Sequence, residues 1–149
     1  MKKIAHIKDI AQQIGACDKI TGVTGYESLV QLFFTPQGRE FCRSHNYPTI
    51  VLFESISDDV RPYNVFVNRG DIEVYNVHNI ALIGNTHAKI KMRGVDDIYR
   101  VLLMHGATAE IEASHYAVGI VDNISGGDVA IHNDKTTKVR YEHQSHGSH

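Results

Sequence analysis

Ten histidines in 149 residues are the side chains most able to do chemistry here, because imidazole ligates metals and exchanges protons near neutral pH. His87, His105, His115 and His132 fall in the second half, with Glu110 and Glu112 close by in sequence. Metal sites need ligands converging on one point, often signalled by spacings such as HxH or HxxxH. None of these pairs has such a spacing, so turn or surface roles are expected, and neither a metal nor a cofactor is assigned. One arrangement keeps a catalytic or ligand-binding reading in view. His105 and His115 could converge across coils, and a small enzyme or ligand- or metal-binding protein would have its site at the junction of the helical first half with the β second half, using His87, His105 or His115.

Other short motifs read more simply. Arg69-Gly70-Asp71 matches an adhesive tripeptide, but Gly70 is explained as a turn between Val67 and Ile72. Asp96-Asp97 beside Gly94 reads as a turn before Tyr99. Ser125-Gly126-Gly127-Asp128 lacks the next glycine of a calcium-binding β-roll repeat and does not recur. Cys17 and Cys42 stand outside any CxxC motif and are expected to be core thiols of a helical region. There is no GxSxG elbow, no phosphate-binding GxxxxGK[ST], no HExxH and no dinucleotide GxGxxG. The hexapeptide period of β-helix acyltransferases starts at Ile83-Gly84, yet its next steps land on Lys89 and Val95 and the pattern lapses.

Composition narrows the classes further. With 42% hydrophobic and 21% charged residues, the chain suits one globular domain. A formal charge of -2 is too balanced for a general nucleic-acid binder. No apolar run approaches the roughly 18 residues that span a membrane. The start, Met1-Lys2-Lys3-Ile4-Ala5-His6, is a poor signal peptide, so a cytoplasmic location and no membrane or nucleic-acid partner are expected. Residues 143–149, holding His143, His146 and His149, form a polar tail outside the fold reading.

The chain changes period near residue 62. Ile4, Ile7, Ile10, Ala11 and Ile14 recur at helical spacing and predict a helix that stops before Gly15. Thr24-Gly25-Tyr26-Glu27 reads as a capping box, with Thr24 as cap and Glu27 reaching back. Thr35-Pro36 starts a third helix, with proline at its first position, that should stop near Asn46. Thr49 to Ile56 is expected to form a fourth.

From Val65 the period falls to two, in short segments punctuated by Asn and Gly. Residues 84–92, 106–113 and 127–132 resemble one another, and aligning Ile90, Ile111 and Ile131 gives spacings of 21 and 20 residues. Val74 adds a shorter unit 16 residues ahead of Ile90. Periods near 20 are those of stacked β-solenoid coils. In that register Ile72/Ala88/Ala109/Val129 and Val74/Ile90/Ile111/Ile131 are apolar columns. Between them stand Glu73, Lys89, Glu110 and Ala130, and beyond them Tyr75, Lys91, Glu112 and His132, so charge alternates up the ladder. The second strand of each unit (Val101 to Met104, Tyr116 to Val121, Lys138 to Tyr141) does not align as cleanly.

The expected architecture is α+β: a helical cap over 1–62, packed on a β-solenoid-like body (a single-stranded β-helix or β-roll) over 63–142. The cap should cover the first coil, whose edge otherwise lies bare. After Lys138-Val139-Arg140-Tyr141 no apolar segment remains to cover the last one. The expected function is a non-catalytic structural or protein-interaction module that self-associates, most simply as a twofold dimer through Val139 and Tyr141. Glu73, Lys89 and Glu110 supply its repetitive polar face.

Overall fold

A computed structural model describes residues 2–13, 15, 20, 22–94, 98–124 and 126–143. Among the described residues five short α-helices precede nine strands. Helix α1 (Lys2–Gln13) buries Ile4, Ile7 and Ala11, the periodic face of the sequence, while Ile14 and Cys17 lie outside the described residues. Helix α2 (Tyr26–Phe33) buries Leu29, Val30 and Phe33. Its cap differs from expectation. Gly25 is the N-cap, and the Ser28 hydroxyl, not Glu27, reaches back to accept the Thr24 and Gly25 N–H groups at 3.0 and 3.1 Å. Starting one residue later puts Ser28 at N3, where a short hydroxyl suffices to close the first turn.

Helix α3 (Pro36–His45) starts as predicted: the Thr35 hydroxyl accepts the Gly38 N–H at 3.0 Å, and Asn46 ends the helix at φ 48. Gly38 lets α3 lie hard against α2, since a Cβ there would sit 1.8 Å from the Leu32 carbonyl oxygen. Helices α4 (Ile50–Ser55, capped by Thr49) and α5 (Ser57–Val60) follow, and a 3-10 turn over Arg61–Tyr63 leads into the strands.

The strands are β1 (Val65–Val67), β2 (Gly70–Tyr75), β3 (Asn79–Ile83), β4 (Thr86–Arg93), β5 (Tyr99–Met104), β6 (Thr108–Ser114), β7 (Val118–Asn123), β8 (Val129–Asn133) and β9 (Lys138–His143). They alternate between two all-parallel sheets, ordered β1-β3-β5-β7-β9 and β2-β4-β6-β8. Each coil gives one strand to each sheet, which makes a β-solenoid of about four coils. In the second sheet Ile72, Ala88, Ala109 and Val129 form one column and Val74, Ile90, Ile111 and Ile131 another. These are the columns the repeat predicts. Ile90 and Ile111 are buried, and Ile131 is half-buried because no coil follows it among the described residues.

Where the cap packs on β1, β3 and β5 the first sheet is apolar on both faces, and β7 and β9 bring Asp122 and Glu142 to the outward one. Inward, Phe66, Leu82 and Leu103 stack against the second sheet. Outward, Val65, Ala81 and Leu102, with Val67, Ile83 and Met104, pack on the helices. The helices therefore lie along a face of the solenoid, where a second apolar surface needs cover, while Arg61 in the 3-10 turn that follows them lies over Phe66 of the first coil.

The corners use residues that tolerate positive φ. β1, β3 and β5 are followed by Asn68 (φ 53), Gly84 (φ 67) and His105 (φ 61). β2, β4 and β6 are followed by Asn76 (φ 54), Gly94 (φ 97) and His115 (φ 55).

Candidate functional site

Two of the three candidate histidines thus sit at corners. His105 is half-buried at the cap–body junction, where its Nε2 lies 2.7 Å from the Pro48 carbonyl oxygen and therefore donates. Its ring meets Phe53 edge-on at 6.0 Å between centroids. His115 is exposed at the other end of β6, accepting from Arg93 at Nε2 (2.9 Å), with Nδ1 2.9 Å from the Ser114 hydroxyl. His87 projects from the exposed face of the second sheet between Thr108 Oγ1 (2.6 Å) and Asn85 Oδ1 (2.9 Å). The three rings thus engage separate partners, and His105 is the one at the junction. Among the described residues no group of three or more His, Cys, Asp or Glu is placed to hold a metal ion.

Glu73, Lys89 and Glu110 are exposed register neighbours on the second sheet. Adjacency does not become contact. Glu73 accepts the Tyr75 hydroxyl at 2.9 Å, Lys91 pairs with Glu112 at 3.8 Å, and His132 Nε2 lies 3.8 Å from Glu110. Such exposed pairs contribute roughly 0–1 kcal/mol each. Arg69 is tied to Asp58 at 3.3 Å, and Gly70, at φ 69, opens β2, so the Arg-Gly-Asp stretch is a coil corner. Gly127 sits where a Cβ would come within 2.4 Å of the Ala107 carbonyl oxygen, a steric reason for that glycine. Ser125, Asp96 and Asp97 lie outside the described residues. Cys42 is buried in the cap, and burial pushes its thiol up to about 12, so it behaves as an apolar side chain.

The seam between cap and body holds an ionic cluster that composition alone conceals. Arg39 Nε pairs with Asp122 Oδ2 at 3.2 Å; Arg43 binds both Asp122 and Glu142, the latter at 2.8 Å. Asp122 has 1% of its side chain exposed. Burial pushes its carboxyl up to about 6, and a hydrogen bond with Glu142 acts in the same direction, against the pull of Arg39 and Arg43. That same hydrogen bond holds Glu142 below the usual carboxylate range, with help from Arg43 and Arg140. The proton of this pair therefore belongs to Asp122. The signal in sequence was the i, i+4 spacing of Arg39 and Arg43 on one helix face, opposite an acid inside an apolar strand.

Ile72 on the edge strand β2 is half-buried at the first coil, and the two ends differ in what lies over the other sheet. Over the first coil the Arg61 guanidinium lies 4.4 Å from the centroid of the Phe66 ring. At the far end β8 and β9 each have a strand neighbour on one side alone among the described residues. Val129, Ile131 and Val139 are half-buried there, packed on the inter-sheet core. Tyr141 is 40% exposed, and its hydroxyl accepts from Asn123 Nδ2 at 3.0 Å. The chain matches no protein-family model, no curated protein and no solved structure at the level that would count as a relationship.

Proposed function

We propose that the chain is a non-catalytic structural or protein-interaction module that associates with a second copy of itself through the last coil of its solenoid. The observation that carries this reading is the asymmetry of the ends. A charged side chain laid over the interior is a recognised guard against edge pairing, and Arg61 supplies one at the first coil. At the last described coil the interior residues Val129, Ile131 and Val139 are half-buried, with no further strand beside them among the described residues. Head-to-tail stacking would bring that end against Arg61, whereas a twofold contact brings two like ends together. Antiparallel pairing of β9 about Tyr141 would set Arg140 opposite the second copy's Glu142, a favourable cross-strand pair. The polar lattice of Glu73, Lys89 and Glu110 stays outside that contact and can present a regular face to another protein.

Light scattering after size exclusion at micromolar concentration tests the reading. A dimer is expected, converted to monomer by Val139→Lys. A monomeric parent overturns it, and a dimer indifferent to Val139→Lys moves the interface away from the last coil.

A further inference from the structure

The open face of the second sheet carries its charge in stripes. On β4 the exposed residues Lys89, Lys91 and Arg93 make a basic stripe. On its two sides stand acidic ones, Asp71 and Glu73 on β2, and Glu110 and Glu112 on β6. Each lies about 4.8 Å from the basic stripe, the spacing of neighbouring strands. These charges are only loosely matched within the chain. Lys91 and Glu112, 3.8 Å apart, keep 54% and 61% exposure. Among the described residues no ion pair joins Lys89 to its register neighbours Glu73 and Glu110.

A complementary partner must present charge of alternating sign at the same narrow spacing, and this face is itself such a surface. A twofold axis along the strands, midway between β4 and β6, lays β4 of each copy over β6 of the other. Lys89 then meets the second copy's Glu110, and Lys91 its Glu112, with both pairs formed twice. An axis across the strands would lay each stripe over itself, like charge on like. The favoured twofold also sets Tyr75, 57% exposed on β2, over the second copy's His132 on β8. Asp71 over Asp128 is a like-charge meeting at the rim, where solvent screens it.

We propose that the open face of the second sheet docks on the same face of a second copy of the chain, through the β4 and β6 stripes. Four strands of 5 to 8 residues, about 4.8 Å apart and rising about 3.3 Å per residue, cover roughly 400 Å². Two such footprints fall short of the roughly 1,200 Å² at which stable complexes begin. The contact is therefore weak and salt-sensitive, and the face stays open in dilute solution. It gives the regular polar face its partner and does not rest on the last-coil contact.

The test is sedimentation velocity of the full chain at about 0.5 mM, in about 20 mM and about 0.5 M salt. A rise in mass at low salt, reversed at high salt, is expected of the parent and equally of Val139→Lys. Loss of that step in Val139→Lys would assign it to the last coil and overturn the proposal. Lys89→Glu with Lys91→Glu, and separately Glu110→Lys with Glu112→Lys, should each abolish it, because like stripes then meet. Mixed together, the two variants regain both stripe pairs and should associate at least about tenfold more tightly than either alone. Lys3→Glu with Lys135→Glu matches the net charge of the first variant from exposed positions off the face, and should not associate with the second. No low-salt association of the parent, a mixture no tighter than its components, or equal association with the off-face control overturns the proposal. Should a double variant fail to fold by circular dichroism, Lys89→Glu and Glu110→Lys carry the same comparison singly.

Discussion

Arg43 on α3 and Asp122 on β7, 79 residues apart in the chain, are joined by an ion pair in the seam where the helical cap meets the solenoid. Asp122 is nevertheless more easily protonated than an ordinary aspartate, because burial and its Glu142 neighbour outweigh two guanidinium groups. The seam thus joins cap to body by geometry while withholding part of the electrostatic gain. Desolvation of buried ion pairs commonly has this effect.

That balance gives a pH dependence of definite sign. The folded-state value of Asp122 is raised, to about 6 from 3.8, so the folded chain binds its proton more tightly than the unfolded chain does. Stability from this group therefore rises as pH falls through 6 and levels off below about 4. Urea denaturation of the parent and of Asp122→Asn at several pH values isolates the effect from the histidines. The stability of the parent relative to Asp122→Asn should grow by about 2 kcal/mol between pH 7.5 and 4.5. A difference independent of pH, or one of opposite slope, would show that Asp122 ionises normally. Glu142, whose value is lowered, acts in the opposite sense below its ordinary range, where stability is lost as it takes up a proton.

Ile111 stands in the middle of the apolar column, with Ile90 on one side and Ile131 on the other. It is 0% exposed. Ile111→Asp would bury a carboxylate among aliphatic side chains and should cost several kcal/mol, or prevent folding altogether. Thermal melting followed by circular dichroism reads this directly. A variant that melts with the parent would place the column on the surface.

Lys89 has Glu73 and Glu110 as register neighbours on the open face of the second sheet. Lys89→Glu would line three carboxylates across adjacent strands. The expected loss is no more than about 1 kcal/mol, because the face is solvated. It should shrink between 20 mM and 1 M salt as screening shortens the range of the repulsion. Denaturation midpoints at the two salt concentrations check this. A loss that does not change with salt would mean that the three side chains do not sense one another.

Much of the solenoid was written in local periodicity. A strand buried on one face must repeat apolar residues every second position, and stacked coils must repeat them at a fixed interval. The Ile90, Ile111 and Ile131 alignment therefore gave the register of the whole second sheet. Helix α3 was equally readable, because Thr35, Pro36 and Asn46 act on the backbone beside them. The first sheet resisted the same treatment. Its outward column runs Val65, Ala81, Leu102, Asp122, Glu142, apolar where the cap is apolar and acidic where Arg39 and Arg43 face it. No repeat could show that change, since it answers to a helix far away in sequence.

The histidines divide in the same way. Their number suggested chemistry, while His105 and His115 are corner residues whose positive φ suits the left-handed turn. The repeat placed the corners between strands, yet the backbone angle that selects Asn, Gly or His became visible only once the coils were stacked. By itself the sequence determined the helical first half, the coil period and the apolar columns, because each arises from residues a few positions apart or from a regular repeat. Tertiary structure alone decided that the cap lies along a sheet face and that Asp122 is buried between two arginines. It also decided that the Arg61 guanidinium lies over the Phe66 ring. Those outcomes depend on packing between segments whose separation in the chain follows no period.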